Sequence, residues 1–283
     1  MRKALITGGK GQLGADAAIV FRQCGFEVHA LGREELDVTH EQQVMDVVQS
    51  IGPDVLIHTA AYTQVDQAEM DADAAFRVNA DGTRNVANAA QSVNAKLVYV
   101  STDYVFDGRG KEPYNEFATP NPLSVYGKSK LEGERFVRKF SSRFFIIRTS
   151  WVYGLHGNNF VKTMLRLANE RDELTVVHDQ VGSPTYTVDL ACFLAELVNT
   201  ERYGVYHASN TGQCSWYEFA KAIFEEAGRE EITVRPVTSQ QYQRPAPRPA
   251  YSVLDHLAIR RCGMKELRHW REALRAFLPQ LNG

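Results

Sequence analysis

The chain of 283 residues carries 32 basic against 34 acidic side chains, a formal charge of −2, and an ordinary apolar fraction. That balance leaves no electrostatic footprint for nucleic acid or an anionic membrane surface. The length allows one large domain or two smaller ones around a substantial core. Cys24, Cys192, Cys214 and Cys262 are far apart and form no C-x-x-C pair. They describe neither a zinc site nor a disulfide framework, so a reducing cytoplasm is the simplest location. Only Arg2 and Lys3 precede a short apolar run ending at Gly8, too short for a signal h-region or a membrane span.

Ala4-Leu5-Ile6, stopped by Thr7-Gly8-Gly9, reads as a buried parallel strand. Leu13, Ala17, Val20 and Phe21 then recur at helical spacing. Between them lies a G-x-x-G-x-x-G loop with Gly8, Gly11 and Gly14, enclosing Gln12 and Leu13. Strand, glycine turn and helix start form the context of a dinucleotide fingerprint. Glycines let the backbone approach a pyrophosphate, and the helix N-terminus offers free N–H groups and a positive dipole end. The competing reading is a glycine turn without ligand.

A second strand, Glu27–Leu31, leads into Gly32-Arg33. A site preferring NAD usually has a carboxylate at this strand's end. A guanidinium suits a 2′-phosphate instead, so Arg33 favours NADPH over a merely solvated role, with NADH as a further candidate. Asp37 and Val38 follow and would line the adenine side. A helix over Val44–Ile51 precedes a third strand, Val55–His58, ending in Thr59-Ala60-Ala61-Tyr62. The small residues there leave room for ribose and pyrophosphate. His58 reads as structural.

The Ala-rich segment from about Ala72 to Val93 predicts one long helix, and Lys96–Val100 a fourth strand ending in Ser101-Thr102-Asp103. A helix beginning near Tyr126 and a strand over Phe144–Ile147 continue the alternation. Repeated strand–helix units predict an α/β fold: a Rossmann-type, doubly wound parallel sheet binding ligands at the strands' carboxyl ends. From Trp151 the pattern becomes mixed. Helices are predicted near Asn159–Glu170, Leu190–Val198 and Phe219–Phe224, with strands at Leu174–Val177, Gly204–His207 and Ile232–Val234.

Within Tyr126-Gly127-Lys128-Ser129-Lys130 the Tyr126 phenol and Lys130 ammonium project side by side if the stretch is helical. A cation about 4 Å away, at an effective dielectric of about 20, favours the phenolate by on the order of 4 kcal/mol, roughly three pKa units at most. Such a tyrosine exchanges protons near neutral pH. A bare Y-x-x-x-K is also a common solvated helix face, and the glycine turn on the same rim is what argues for chemistry.

These motifs resemble those of the extended short-chain dehydrogenase/reductase superfamily: the glycine loop, Val78-Asn79-Ala80-Asp81-Gly82-Thr83, and the Tyr126/Lys130 pair. Longer words resemble its dTDP-4-dehydrorhamnose reductase family, among them Ser101-Thr102-Asp103-Tyr104-Val105-Phe106-Asp107-Gly108, Pro122–Gly127, Arg148–Tyr153, Asp179–Thr185, and Arg248-Pro249 with Tyr251-Ser252. They spread over about 250 residues in family order. The resemblance implies NADPH-dependent reduction of the C4 ketone of dTDP-4-dehydro-6-deoxy-L-mannose to dTDP-L-rhamnose. Tyr126 would protonate the C4 alkoxide, Lys130 would tune it and hold the nicotinamide ribose, and Thr102 would bond the carbonyl oxygen. Asn79 joins the cofactor set. Asp103, Tyr104, Phe106 and Trp151 would face the sugar, although Phe106 and Trp151 also fit a core, and Val65, on the loop after the third strand, would touch the substrate or the nicotinamide. Arg248, in its proline-rich loop, either pairs with a diphosphate or lies in a surface linker.

The resemblance further implies a dinucleotide-binding domain over residues 1–150 and a smaller, discontinuous α/β substrate domain over residues 151–283, with some later segments returning to the first. Some relatives dimerise through a divalent cation held by carboxylates, and Asp16 and Asp189 fall near two such places. The tail Leu278–Gly283 has no carboxylate side chain, so no metal site is expected, and a monomer or weak homodimer is. The alternatives are a nucleotide-sugar epimerase or dehydratase, and a non-catalytic regulatory subunit of the type associated with methionine adenosyltransferase.

Overall fold

The computed structural model describes residues 1–282. Its first half comprises β1 (Lys3–Thr7), α1 (Gln12–Gln23), β2 (Glu27–Leu31), α2 (Glu41–Ile51), β3 (Val55–His58), α3 (Val65–Met70), α4 (Ala72–Phe76), a π-helical turn (Arg77–Gly82) and α5 (Thr83–Ser92). There follow β4 (Lys96–Thr102), α6 (Val125–Phe140) and β5 (Phe144–Thr149). The second half comprises β6 (Val152–Tyr153), α7 (Phe160–Ala168), β7 (Glu173–Val177), β8 (Val181–Gly182), β9 (Thr185–Tyr186), α8 (Thr187–Leu197) and β10 (Gly204–His207). It ends with β11 (Cys214–Ser215), α9 (Trp216–Glu226), β12 (Thr233–Val237), α10 (Leu257–Arg261) and α11 (Trp270–Phe277).

Strand alternation explains the layers. In β1 the side chains of Ala4 and Ile6 enter one core with Phe21 of α1 and Leu190 and Leu194 of α8. Leu5 enters the core on the other side, with Val44 and Val48 of α2 and Val86 and Ala90 of α5. A strand buried on both faces belongs in a parallel sheet covered by helices on each side. The six-stranded sheet has the order β10-β5-β4-β3-β1-β2, and every adjacent pair is parallel. The winding reverses between β1 and β3, and such a reversal opens a crevice at the strands' carboxyl ends.

The later chain packs a separate cluster of Val161, Leu174, Phe219, Ile223, Leu274 and Phe277, contributed by α7, β7, α9 and α11. Three two-stranded pairs, β7 with β12, β6 with β9 and β8 with β11, border it. β10 rejoins the main sheet beside β5, and α8 packs on α1.

Several elements differ from the sequence reading. Val65 opens α3 rather than sitting in a loop. The segment from Ala72 is not one regular helix, because six residues of π-helix interrupt it. The wider turn aims Asn79 inward, where its side chain bonds both backbone groups of Tyr62 and the Ser129 hydroxyl; single π turns often mark such functional positions. α10 and α11 were not anticipated. Their short patterns carry little periodicity.

Candidate active site

One cavity of about 890 Å³ runs along the carboxyl ends of β1, β3 and β4 and is closed by residues of the second half. At its β1 end, the Gly11 N–H donates to Gly8 O at 2.8 Å and tightens the glycine turn. Gly8 has φ +68°, and a Cβ there would lie 2.7 Å from the Ala60 backbone nitrogen. At Gly14 a Cβ would lie 2.3 Å from Gly8 O. Only glycine permits this approach of turn, helix and β3. Gly11 is the N-cap of α1 and supplies no side-chain cap, so the helix's first N–H groups remain available to an anion. Gln12 and Leu13 line the cavity with all three fingerprint glycines.

Next along the wall are Arg33, Asp37 and Val38. The Arg33 side chain is 84% exposed and lies 3.4 Å from the Asp37 carboxylate. Beside it stands Lys10, which the sequence reading passed over. Its stem packs on Gly32 and its ammonium lies 3.4 Å from Glu35. Both exposed cations line this wall, and a lysine inside the glycine loop was the available signal. Ala60, Ala61, Tyr62 and Val65 continue the lining.

At the β4 end, α6 begins at Val125 with Ser124 as its cap, the hydroxyl accepting the Gly127 N–H at 3.1 Å. A Cβ at Gly127 would lie 2.2 Å from Tyr104 O, so the helix start can lie against the segment after β4. Tyr126, Lys130, Thr102, Asp103, Tyr104 and Trp151 all line the cavity. The Tyr104 and Tyr126 rings meet edge to face at 5.6 Å.

The Lys130 side chain is almost wholly buried. Its ammonium donates to Val100 O at 2.7 Å and lies 4.2 Å from the centre of the Tyr99 ring. Burial pulls it down to about 7, against the supporting charge of Glu134. Tyr126 is not lowered, as the spacing argument had it. Burial pushes it up to about 12, partly offset by a hydrogen bond with the Thr102 hydroxyl, with the Asp103 charge raising it further. The ammonium is engaged by the end of β4, so the phenol keeps its proton at neutral pH.

Asp103 is pushed up to about 6 by burial, opposed by the Ser252 and Thr102 hydroxyls. Its Oδ1 accepts from the Thr102 hydroxyl at 3.1 Å, and the residue lines the cavity. Behind the site, Ser101 donates to Glu134 Oε1 at 2.6 Å, and Arg148 grips Glu134 with two bonds of 2.9 and 2.8 Å. This buried pair ties α6 to β4 and β5. His58, pulled down to about 3 by burial and Lys130, bridges Thr7 and Thr83 and is structural.

Three expected contacts lie elsewhere. Phe106 is buried and stacked on Tyr114 at 4.3 Å, packing with Val105 and Leu254 rather than lining the cavity. Asn79 is fully buried and acts through Tyr62, since its amide is spent on that loop. Arg248 is paired bidentately with Asp66 at 2.9 Å, outside the cavity lining. Conversely, Gly157, Asn158 and Trp216 from the second half line the cavity and were not singled out from sequence.

The family described as "RmlD substrate binding domain" matches residues 1–282. This chain belongs to the RmlD family. A Bacillus subtilis relative, "Spore coat polysaccharide biosynthesis protein SpsK", is 46% identical over 99% of this RmlD-family chain and 98% of that protein. The dTDP-4-dehydrorhamnose reductase of Aggregatibacter actinomycetemcomitans is 44% identical, covering 97% and 98%. A solved dTDP-4-dehydrorhamnose reductase from Bacillus anthracis, in complex with NADP, superposes with a TM-score of 0.97 at 48% identity, covering 99% of this chain and 100% of that one.

Proposed function

We infer that this chain reduces the C4 ketone of dTDP-4-dehydro-6-deoxy-L-mannose with NADPH and yields dTDP-L-rhamnose, the last step of dTDP-L-rhamnose synthesis. The chain is an NADP-dependent oxidoreductase of the dTDP-4-dehydrorhamnose reductase type. The single observation carrying the reading is the meeting of Tyr126, Thr102 and Lys130 in the cavity that also contains the glycine turn. When bound, the reduced nicotinamide supplies a hydride.

The residues fit that cofactor. The uncapped α1 N-terminus takes the pyrophosphate, Lys10 and Arg33 the 2′-phosphate, and Lys130 the nicotinamide ribose. Thr102, once its hydroxyl turns from Asp103 Oδ1, and Tyr126 donate to the substrate carbonyl oxygen, and the phenol proton passes to that oxygen as negative charge develops there. Donors aimed at a forming alkoxide stabilise the transition state more than the ketone. Asp103 accepts from a sugar hydroxyl, and Tyr104, Val65 and Trp151 border the hexose.

Arg248 reaches a diphosphate only by exchanging its Asp66 partner, and Arg244, 3.9 Å from the same carboxylate, belongs to that cluster. The functional division follows residues 1–150 and 151–283, with α8 and β10 serving the first part. The reading also includes a monomer or weak homodimer in the cytoplasm. Asp16 is engaged by Thr187 and lies 3.7 Å from His156, and Asp189 pairs with Arg268 at 2.7 Å; these bonds favour a role within the chain over an intersubunit cation. Among the described residues no helix is long and apolar enough to cross a membrane.

The test is NADPH oxidation on mixing with the keto-sugar. One equivalent of NADPH consumed per sugar is expected. A folded protein that leaves the cofactor reduced, or converts the sugar without net oxidation as an epimerase does, defeats the proposal.

A further inference from the structure

Trp151 and Trp216 both border the cavity, and their rings lie stacked at 3.6 Å with planes 9° apart. Trp151 has φ +47°, a left-handed backbone that a bulky side chain adopts only where the surroundings impose it. Those surroundings are specific. A Cβ at Gly182 would lie 2.7 Å from the Trp151 ring, so the Gly182 backbone packs directly on the indole. Gly182 of β8 pairs with Cys214 of β11, and Trp216 follows β11 as the first residue of α9. That helix start is fixed by a capping box between Ser215 and Glu218. One small β-pair therefore positions both the glycine and the second indole against Trp151. Phe160 braces Trp216 from 4.6 Å.

We propose that Trp216 is a specificity-determining residue of the sugar subsite, forming with Trp151 an apolar wall that accepts the C6 methyl group of the 6-deoxyhexose. The inference rests on the reductase reading and deepens it. The reacting carbon C4 must meet Tyr126 and Thr102, and C6 is only two bonds away, so the methyl group sits within the same compartment. Hydroxyls at the other sugar carbons need polar partners, and the Asp103 carboxyl group, which lines the cavity, provides one. Two stacked indoles provide apolar surface for a methyl group, and a hydroxyl placed there loses water without regaining a hydrogen bond.

The experiment compares inhibition by dTDP-L-rhamnose, by dTDP-L-mannose, which adds only the C6 hydroxyl, and by dTDP, in wild type, Trp216→Phe and Trp216→Ala. Wild type is expected to prefer dTDP-L-rhamnose over dTDP-L-mannose by about tenfold or more, as apolar pockets do against an added polar group. Trp216→Ala should erase that preference while dTDP and NADPH bind as before, and Trp216→Phe should retain most of it. An unchanged preference in Trp216→Ala overturns the proposal, as does an equal loss for dTDP or NADPH, which marks a structural role. Absence of turnover by wild type with the keto-sugar is a different result, and it overturns the reductase reading itself.

Discussion

Replacing Tyr126 by Phe is expected to lower kcat by about 10²–10³, the effect of deleting one donor aimed at a developing oxyanion, with NADPH affinity retained. The phenol borders the catalytic end of the cavity, and the cofactor contacts drawn from the glycine turn and Lys130 do not depend on its hydroxyl. Steady-state kinetics with separate NADPH titration checks the split between kcat and binding. Normal turnover in the variant removes Tyr126 from the chemistry. The pH profile carries a related expectation. Burial holds Tyr126 up to about 12, so its proton stays in place across the neutral range. Lys130, pulled down to about 7, loses its charge first, and kcat/KM for NADPH should fall as pH rises through that region.

Glu134→Gln is expected to destabilise the protein by about 3–5 kcal/mol, the cost of leaving one buried partner of an ion pair uncompensated. Arg148 is 2% exposed and Glu134 1% exposed, so neither charge can recover water in place. At about 2–4 °C per kcal/mol for a chain of this size, the melting temperature drops by roughly 6–20 °C. Replacing both residues by Met removes the stranded cation as well, and should restore much of the loss. Thermal unfolding of Glu134→Gln and of the double Met variant beside wild type checks this. A Glu134→Gln protein melting with wild type shows that the pair is not a structural tie.

The consequence reaches the site because the same carboxylate holds Ser101, the neighbour of Thr102, and lies on α6 four residues beyond Lys130. Its charge also supports the Lys130 ammonium. Tyr126, Lys130 and Glu134 thus form one stripe of a single helix, with chemistry at one end and anchoring at the other.

Most sheet strands were legible because they are short apolar runs ended by Gly, Thr or Ser. The glycine turn was legible because its spacing carries a backbone requirement, now visible in the approach of Gly8 to Ala60 and of Gly14 to Gly8. The second-half contribution was not. Trp216 reaches the cavity through a two-residue strand pair and a positive-φ residue, features with no period in sequence. Phe106 illustrates the reverse failure. Its place two residues after Tyr104 in a site word suggested a ligand contact, but a 3-10 turn over Asp103–Val105 lies between them, and Tyr104 lines the cavity while Phe106 enters the core. The acidity of Tyr126 was also misjudged from spacing alone. Residues four apart share a helix face, yet the Lys130 ammonium turns to Val100 O, and desolvation then dominates the phenol.

The most direct test of the account is transfer of deuteride from NADPH labelled at its reactive carbon to dTDP-4-dehydro-6-deoxy-L-mannose, followed by NMR of the sugar. The account predicts dTDP-L-rhamnose with one deuterium at C4 for each NADPH oxidised. Label at another carbon, or a sugar whose ketone persists while NADPH stays reduced, would contradict it.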